Sequence, residues 1–299
     1  MPRQRVEVSR YTGADYEYDY LQINQLDEQV IEKYCNSLRQ RLSTVPRTTQ
    51  EAEIWVARTY IAVKYLLSAS LMLSSEEFAA ERNLRIVEPY LLYYALFNAS
   101  RAFLLMLPEQ AWKDGRILED VTHQKAQNVV ADQLRYLSPE MAQKFLEINR
   151  RAMATREMLS YRFPALGLKG HLAKVAPDDG DVLDVCQFLA DAAQLHSECI
   201  QVAFSTMPRC ALSNTSETLK RFFEYEHKFI EKPFHDSDDW YRLWQFTRHS
   251  DRPLSLHLTG RPGLVEDFFG AWTPDENKQS NHEQYDPDNT EMRMIFDFN

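Results

Sequence analysis

Residues 89–107, PYLLYYALFNASRAFLLML, constrain this chain more than any other segment. The run is almost continuously apolar, yet Asn98 and Arg101 stand in its middle. An arginine at the centre of a membrane span costs about 2.5–3.5 kcal/mol on insertion scales, and the amide beside it adds to that. The stretch is the one candidate span in the sequence, and on these grounds it is rejected as such. At 100° per residue, Tyr90, Tyr94, Asn98 and Arg101 fall within about an 80° arc. Leucines and Phe103 fill the rest of the circumference. The spacing therefore predicts a buried helix with one narrow polar stripe, whose guanidinium must find hydrogen-bond partners.

Its surroundings read the same way. QLDEQVIEKYCNSLRQRL and EAEIWVARTYIAVKYLLSASLML carry apolar residues at helical spacing, the second over a face wide enough for an inner helix. Ser74–Ser75 followed by Glu76–Glu77 reads as a fresh helix start. EDVTHQKAQNVVADQLRYL is amphipathic to Leu137, and Ser138–Pro139 then opens a further helix by the cap-plus-proline rule. SYRFPALGLKGHLAKVAPDDG is predicted as a loop, and DVLDVCQFLADAAQLHSECIQVAF as a last long helix. The scarcity of glycine, 8 in 299 residues, suits helices.

The expected fold class is mainly α: an antiparallel helical bundle with a small β-containing C-terminal region. The expected divisions are an N-terminal arm with a short strand (1–23), the bundle (24–207) and an acidic α+β region (208–299). Three segments alternate with period two, RQRVEVS near the start, LSLHL at 254–258 and EMRMIFDF at the end. They are predicted to form a small sheet that brings both termini together.

Net charge is −10, with 24 basic against 27 acidic residues up to 210 and 10 against 17 beyond it. The charge balance disfavours a general polyanion-binding surface but leaves room for a local cleft that handles RNA. Cys35, Cys186, Cys199 and Cys210 form no CxxC pair and read as reduced thiols. The opening residues show no signal-peptide segment, so a cytoplasmic location is expected.

EPYLLYYALFNASRAFLLM, followed by VTHQK at the head of the next helix, resembles the central helices of the HEPN superfamily, and more narrowly the YaaC-like proteins. REMLSYRFPALG and the last helix suit the same layout, so the resemblance spans roughly residues 50–205. It implies a HEPN-like bundle, usually a homodimer, that handles RNA or nucleotides. It further implies either a metal-independent endoribonuclease in a toxin–antitoxin or phage-defence setting, or a non-catalytic module that binds a protein partner. No cofactor is implied.

Active members pair an arginine with a histidine four to six residues away, a base near neutral pKa with a cation to steady developing phosphoryl charge. Arg116 and His123 have six residues between them but span a helix start. Arg252 and His257 have four between but lie in a strand-like segment, and Arg162 and His171 have eight between. The catalytic candidates are therefore Arg101, His123, Arg162 and His171, and the binding candidates Tyr94, Asn98, Arg116 and Arg156. For His123 and the arginines, backbone-bonded or solvated roles compete with catalysis. His196 and Cys199, at i and i+3, read as core packing rather than half a zinc site. WYRLWQF at 240–246 is basic and aromatic, but its acidic prelude favours packing or a protein interface.

Overall fold

A computed structural model describes residues 6–112, 123–207, 224–225, 234–249, 252–260, 262–273, 285–287 and 295–296. The fold is mainly helical. After a short α1 (Ser9–Thr12) and a 3-10 turn (Ile23–Gln25) come α2 (Glu28–Leu42), α3 (Thr49–Glu81), α4 (Glu88–Leu105), α5 (His123–Leu137) and α6 (Pro139–Tyr161). A short α7 (His171–Val175) leads into α8 (Asp179–Phe204). Beyond it lie α9 (Ser237–His249), α10 (Leu256–Thr259) and α11 (Pro262–Gly270).

The predicted start of α6 is realised by local chemistry. The Ser138 side chain accepts from the Met141 amide at 3.1 Å, and Pro139 occupies the first turn. The predicted start at Ser74–Ser75 is not realised, because α3 runs unbroken through it. Ser74 and Ser75 donate back to the Leu71 carbonyl at 3.1 and 2.7 Å, so neither caps a new helix. By length and composition α3, rather than α4, is the described helix apolar enough to cross a membrane, and 78% of its most apolar window is buried within the fold.

Helix α4 packs against α3, α5, α6 and α8, which is why its apolar residues run nearly all round. Leu96, Ala99, Phe103 and Leu105 have no exposed surface, each large side chain contributing about 1.5–3 kcal/mol by burial. Its C-terminal end is held by Arg58 of α3, a buried cation that the sequence pattern did not single out. Arg58 Nε, Nη2 and Nη1 donate to the carbonyls of Leu105, Leu107 and Gln110 at 2.7, 2.8 and 3.0 Å. The guanidinium also lies 4.2 Å from the Trp55 ring centroid. Carbonyls left open at a helix end and the negative end of its dipole thus offset the burial of the charge.

Helix α8 carries polar side chains along a buried face, and both ends of the chain attach there. Asp191 accepts the amides of Leu21, Gln22 and Ile23 at 3.2, 2.6 and 2.9 Å. Glu198 accepts from Thr12 Oγ1 at 2.6 Å and from Gln194 Nε2 at 2.9 Å. Gln201, Ser197 and Gln194 accept the amides of Ser255, Leu256 and His257 at 2.8, 3.0 and 3.0 Å. Tyr16 bonds Ser255, and Tyr18 packs 5.2 Å from Phe296.

The predicted terminal sheet is therefore corrected. Residues 254–258 meet α8, and their amides go to its side chains rather than to a neighbouring strand, while the Val6 amide donates to the Asn24 carbonyl. Residues 254–258 enter α10, and the chain after Val8 turns into α1. Ile295 and Phe296 are buried in a bend, while the rest of EMRMIFDF lies outside the described residues. The pairing of β1 (Glu224–Tyr225) with β2 (Phe234–His235), two residues each, is the β structure among the described residues. It does not amount to the expected β-containing region.

In α9, Asp239 is buried and receives the Tyr60 hydroxyl at 2.9 Å and the Lys64 ammonium. That contact anchors the WYRLWQF segment to α3, with Leu243 buried and Tyr241 exposed.

Candidate functional site

The cluster with the most chemical potential lies where α4, α5 and α6 meet. Tyr93, Phe97 and Arg101 follow one another at i, i+4 and i+8 on α4, with His123 at the head of α5 and Arg156 on α6. His123 Nδ1 and Tyr93 Oη share a hydrogen bond of 2.5 Å. The imidazole stacks on Phe97 with centroids 4.0 Å apart and planes 15° from parallel. The Arg101 guanidinium sits 4.2 Å from the same Phe97 centroid and donates to Tyr65 Oη at 3.3 Å. Arg156 lies 4.8 Å from the Tyr93 centroid.

Two guanidiniums thus rest on the two rings that hold one exposed histidine. Burial, and then the positive charges of Arg101 and Arg156, hold the His123 pKa below its ordinary value. Burial raises the Tyr93 hydroxyl, with Arg156 opposing it. Among the described residues no carboxylate pairs with Arg101, and the carboxylate paired with Arg156 is Glu157 at 3.8 Å. Arg156 Nε is buried without a hydrogen-bond partner. A histidine kept neutral near pH 7 beside two cations can exchange a proton while the cations hold an anion.

The predicted stripe divides in space. Asn98 is buried and donates to Ser68 Oγ of α3 at 2.9 Å, an interhelical pair. Tyr94 is 40% exposed and meets Tyr93 edge-on at 5.2 Å. Tyr90 Oη accepts from Ser160 Oγ at 3.3 Å. Arg101 leans toward the N-terminus over Phe97, as helical side chains do. Angular spacing alone therefore put Asn98 beside it in place of Phe97.

Arg162 is exposed at the end of α6, and His171 opens α7. Arg162 makes no hydrogen bond or ion pair to the cluster among the described residues. Arg116 lies outside the described residues. Arg252 and His257 belong to the terminal attachment: Arg252 donates to the Ser205 carbonyl, and His257 stacks 5.9 Å from Tyr16.

Sequence reasoning passed over Tyr93, Phe97 and Tyr65. The four-residue spacing of Tyr93, Phe97 and Arg101 was the available signal, hidden because all three lie in an apolar run. Of the other histidines, His196 is buried with both nitrogens engaged. The Met106 carbonyl, 3.1 Å from Nδ1, can only accept, so Nδ1 carries the proton and Nε2 accepts from Tyr34 Oη at 2.7 Å. Burial pulls its pKa down to about 3, so it stays neutral. Cys35, Cys186 and Cys199 are free, buried thiols, and Cys210 lies outside the described residues.

Compared with models of known protein families, with curated proteins and with solved structures, the chain matches none.

Proposed function

We propose that this is a HEPN-like protein that handles RNA or nucleotides at the Arg101–His123–Arg156 cluster, as a metal-independent endoribonuclease. The observation that carries the reading is a histidine held by Tyr93 and Phe97, the two rings on which Arg156 and Arg101 rest, with its pKa lowered and with no carboxylate on Arg101 among the described residues. With Nδ1–H donated to Tyr93 Oη, the Nε2 lone pair is available to take the proton of a ribose 2′-hydroxyl. The oxygen then attacks the adjacent phosphorus to form a 2′,3′-cyclic phosphate as the bond to the 5′-oxygen breaks. The leaving 5′-oxygen takes a proton from the His123 imidazolium or from water, and Arg101 and Arg156 stabilise the charge gathering on the phosphoryl oxygens. The toxin–antitoxin or phage-defence setting and a cytoplasmic location belong to the same proposal and rest on the resemblance of the α4–α5 segment.

The test is RNA cleavage in EDTA by the purified chain and by His123→Ala, with circular dichroism to check the fold. Cleavage lost in a folded His123→Ala supports the reading. Cleavage retained removes His123 as the base.

One observation favours a second reading, a non-catalytic interaction module. Leu84, Ile86 and Val87, between α3 and α4, are exposed apolar residues in one turn. A surface of this kind fits a protein partner or a second copy of the chain. Light scattering of the wild type and of Ile86→Glu distinguishes them: a dimer that dissociates in the variant supports a homodimer, and a monomer at all concentrations opposes it.

A further inference from the structure

The end of α6 places three features side by side that folding alone does not account for. The first is charge. Residues 150–175 hold six basic residues against one acidic, Glu157, within a chain of net charge −10. Arg151 is used structurally, donating to the carbonyls of Val175 and Ala176 at 3.1 and 2.7 Å and so tying α7 to α6. Arg162 and Lys169 are exposed and form no ion pair among the described residues.

The second is aromatic surface. Tyr161 is 76% exposed and Phe163 66%, one on each side of Arg162. The third is backbone strain. Phe163 has φ +40°, with its amide on the Met158 carbonyl at 3.0 Å, in the left-handed position after a helix end where glycine is the usual residue. A bulky side chain is disfavoured there. Because the ring is mostly exposed, its own burial does not offset that cost.

The surface is continuous with the candidate site. Ser160 donates to Tyr90 of α4, and one turn earlier Arg156 lies over Tyr93, which holds His123.

We propose that Tyr161, Arg162, Phe163 and Lys169 form a binding track for single-stranded RNA that leads to the Arg101–His123–Arg156 cluster. This rests on the reading of that cluster as an RNA-handling site and names the strand it receives. Exposed rings stack on unpaired bases with little regard to sequence, and unpaired cations follow the phosphates. A duplex, whose bases are already stacked, offers the rings nothing.

The test uses the full-length His123→Ala protein, which prevents cleavage, and fluorescence anisotropy with a labelled 20-nucleotide single strand, the matching duplex and a labelled mononucleotide. Tighter binding of the single strand than of the duplex is expected. Its log affinity should fall against log salt with a slope of about −2, as roughly three phosphate contacts give. Arg162→Glu with Lys169→Glu should weaken the 20-mer by about tenfold or more and leave the mononucleotide unchanged, and Phe163→Ala should weaken it about fivefold or more by lost stacking.

Equal binding of duplex and single strand, or no loss in the charge-reversed variant, overturns the track. If the mononucleotide binds and the 20-mer gains nothing, the track is wrong and the cluster reading stands. If neither binds, both fall. A Phe163→Ala change that dissociates a dimer without altering RNA affinity assigns the surface to protein contact and overturns the proposal.

Discussion

Tyr93 Oη lies 2.5 Å from His123 Nδ1, joining the middle of α4 to the head of α5 across the stacked Phe97 ring. That bond holds the imidazole against Phe97, the ring on which Arg101 also rests. It also directs Nε2 away from Tyr93.

The first prediction concerns the proton on His123. Burial, Arg101 and Arg156 all lower its pKa, so replacing either arginine should move it upward. Observed by NMR of the imidazole carbons, the midpoint should rise in Arg101→Gln and in Arg156→Gln. An unchanged midpoint in both would show that the guanidiniums do not act on the ring.

Arg58 should matter more to stability than any cation of the candidate site. In Arg58→Met the carbonyls of Leu105, Leu107 and Gln110 lose their donors. We expect a loss of about 3–5 kcal/mol in urea unfolding, as for a buried charged group removed from its partners. Arg58→Lys, which reaches fewer of the three, should fall in between.

Stability should fall as pH rises from about 4 to about 7. Burial lifts Asp191 and Glu198 to about 7 in the fold, against ordinary values of 3.8 and 4.5. Across that window the unfolded chain has lost protons that the folded chain still holds, so the slope is negative, and it flattens above pH 7. Calorimetric Tm should therefore be higher at pH 5.5 than at pH 7.5. In Glu198→Gln the difference should shrink, since Thr12 Oγ1 can either donate or accept.

Lys64 and Asp239 should show strong coupling. Asp239 is buried and also meets the Tyr60 hydroxyl at 2.9 Å and Arg242 at 3.9 Å, so Lys64→Met or Asp239→Leu alone removes one charge-assisted bond, at about 1.5–3 kcal/mol. The double variant should cost less than the sum of the singles. Simple additivity in a thermal-melt cycle would exclude the pair as the anchor of α9.

What depends on local pattern could be read from the chain alone. The cap Ser138 with Pro139, the C-terminal ends of α5 and α8 and the burial of α4 follow from residues within a turn or two of each other, because helices close their hydrogen bonds locally. Arg101 and His123 were legible as a pair able to carry chemistry, but Arg156 was not legible as their neighbour. It takes the packing of α4, α5 and α6 to bring the three round Tyr93 and Phe97, and to turn Asn98 to Ser68 instead. The same holds at the chain ends. Alternation at 254–258 reads as a strand until α8 presents Gln194, Ser197 and Gln201 to the amides it would have spent on a sheet. Which partner a backbone donor or a buried charge meets is settled by packing between segments far apart in sequence, and no local period encodes that.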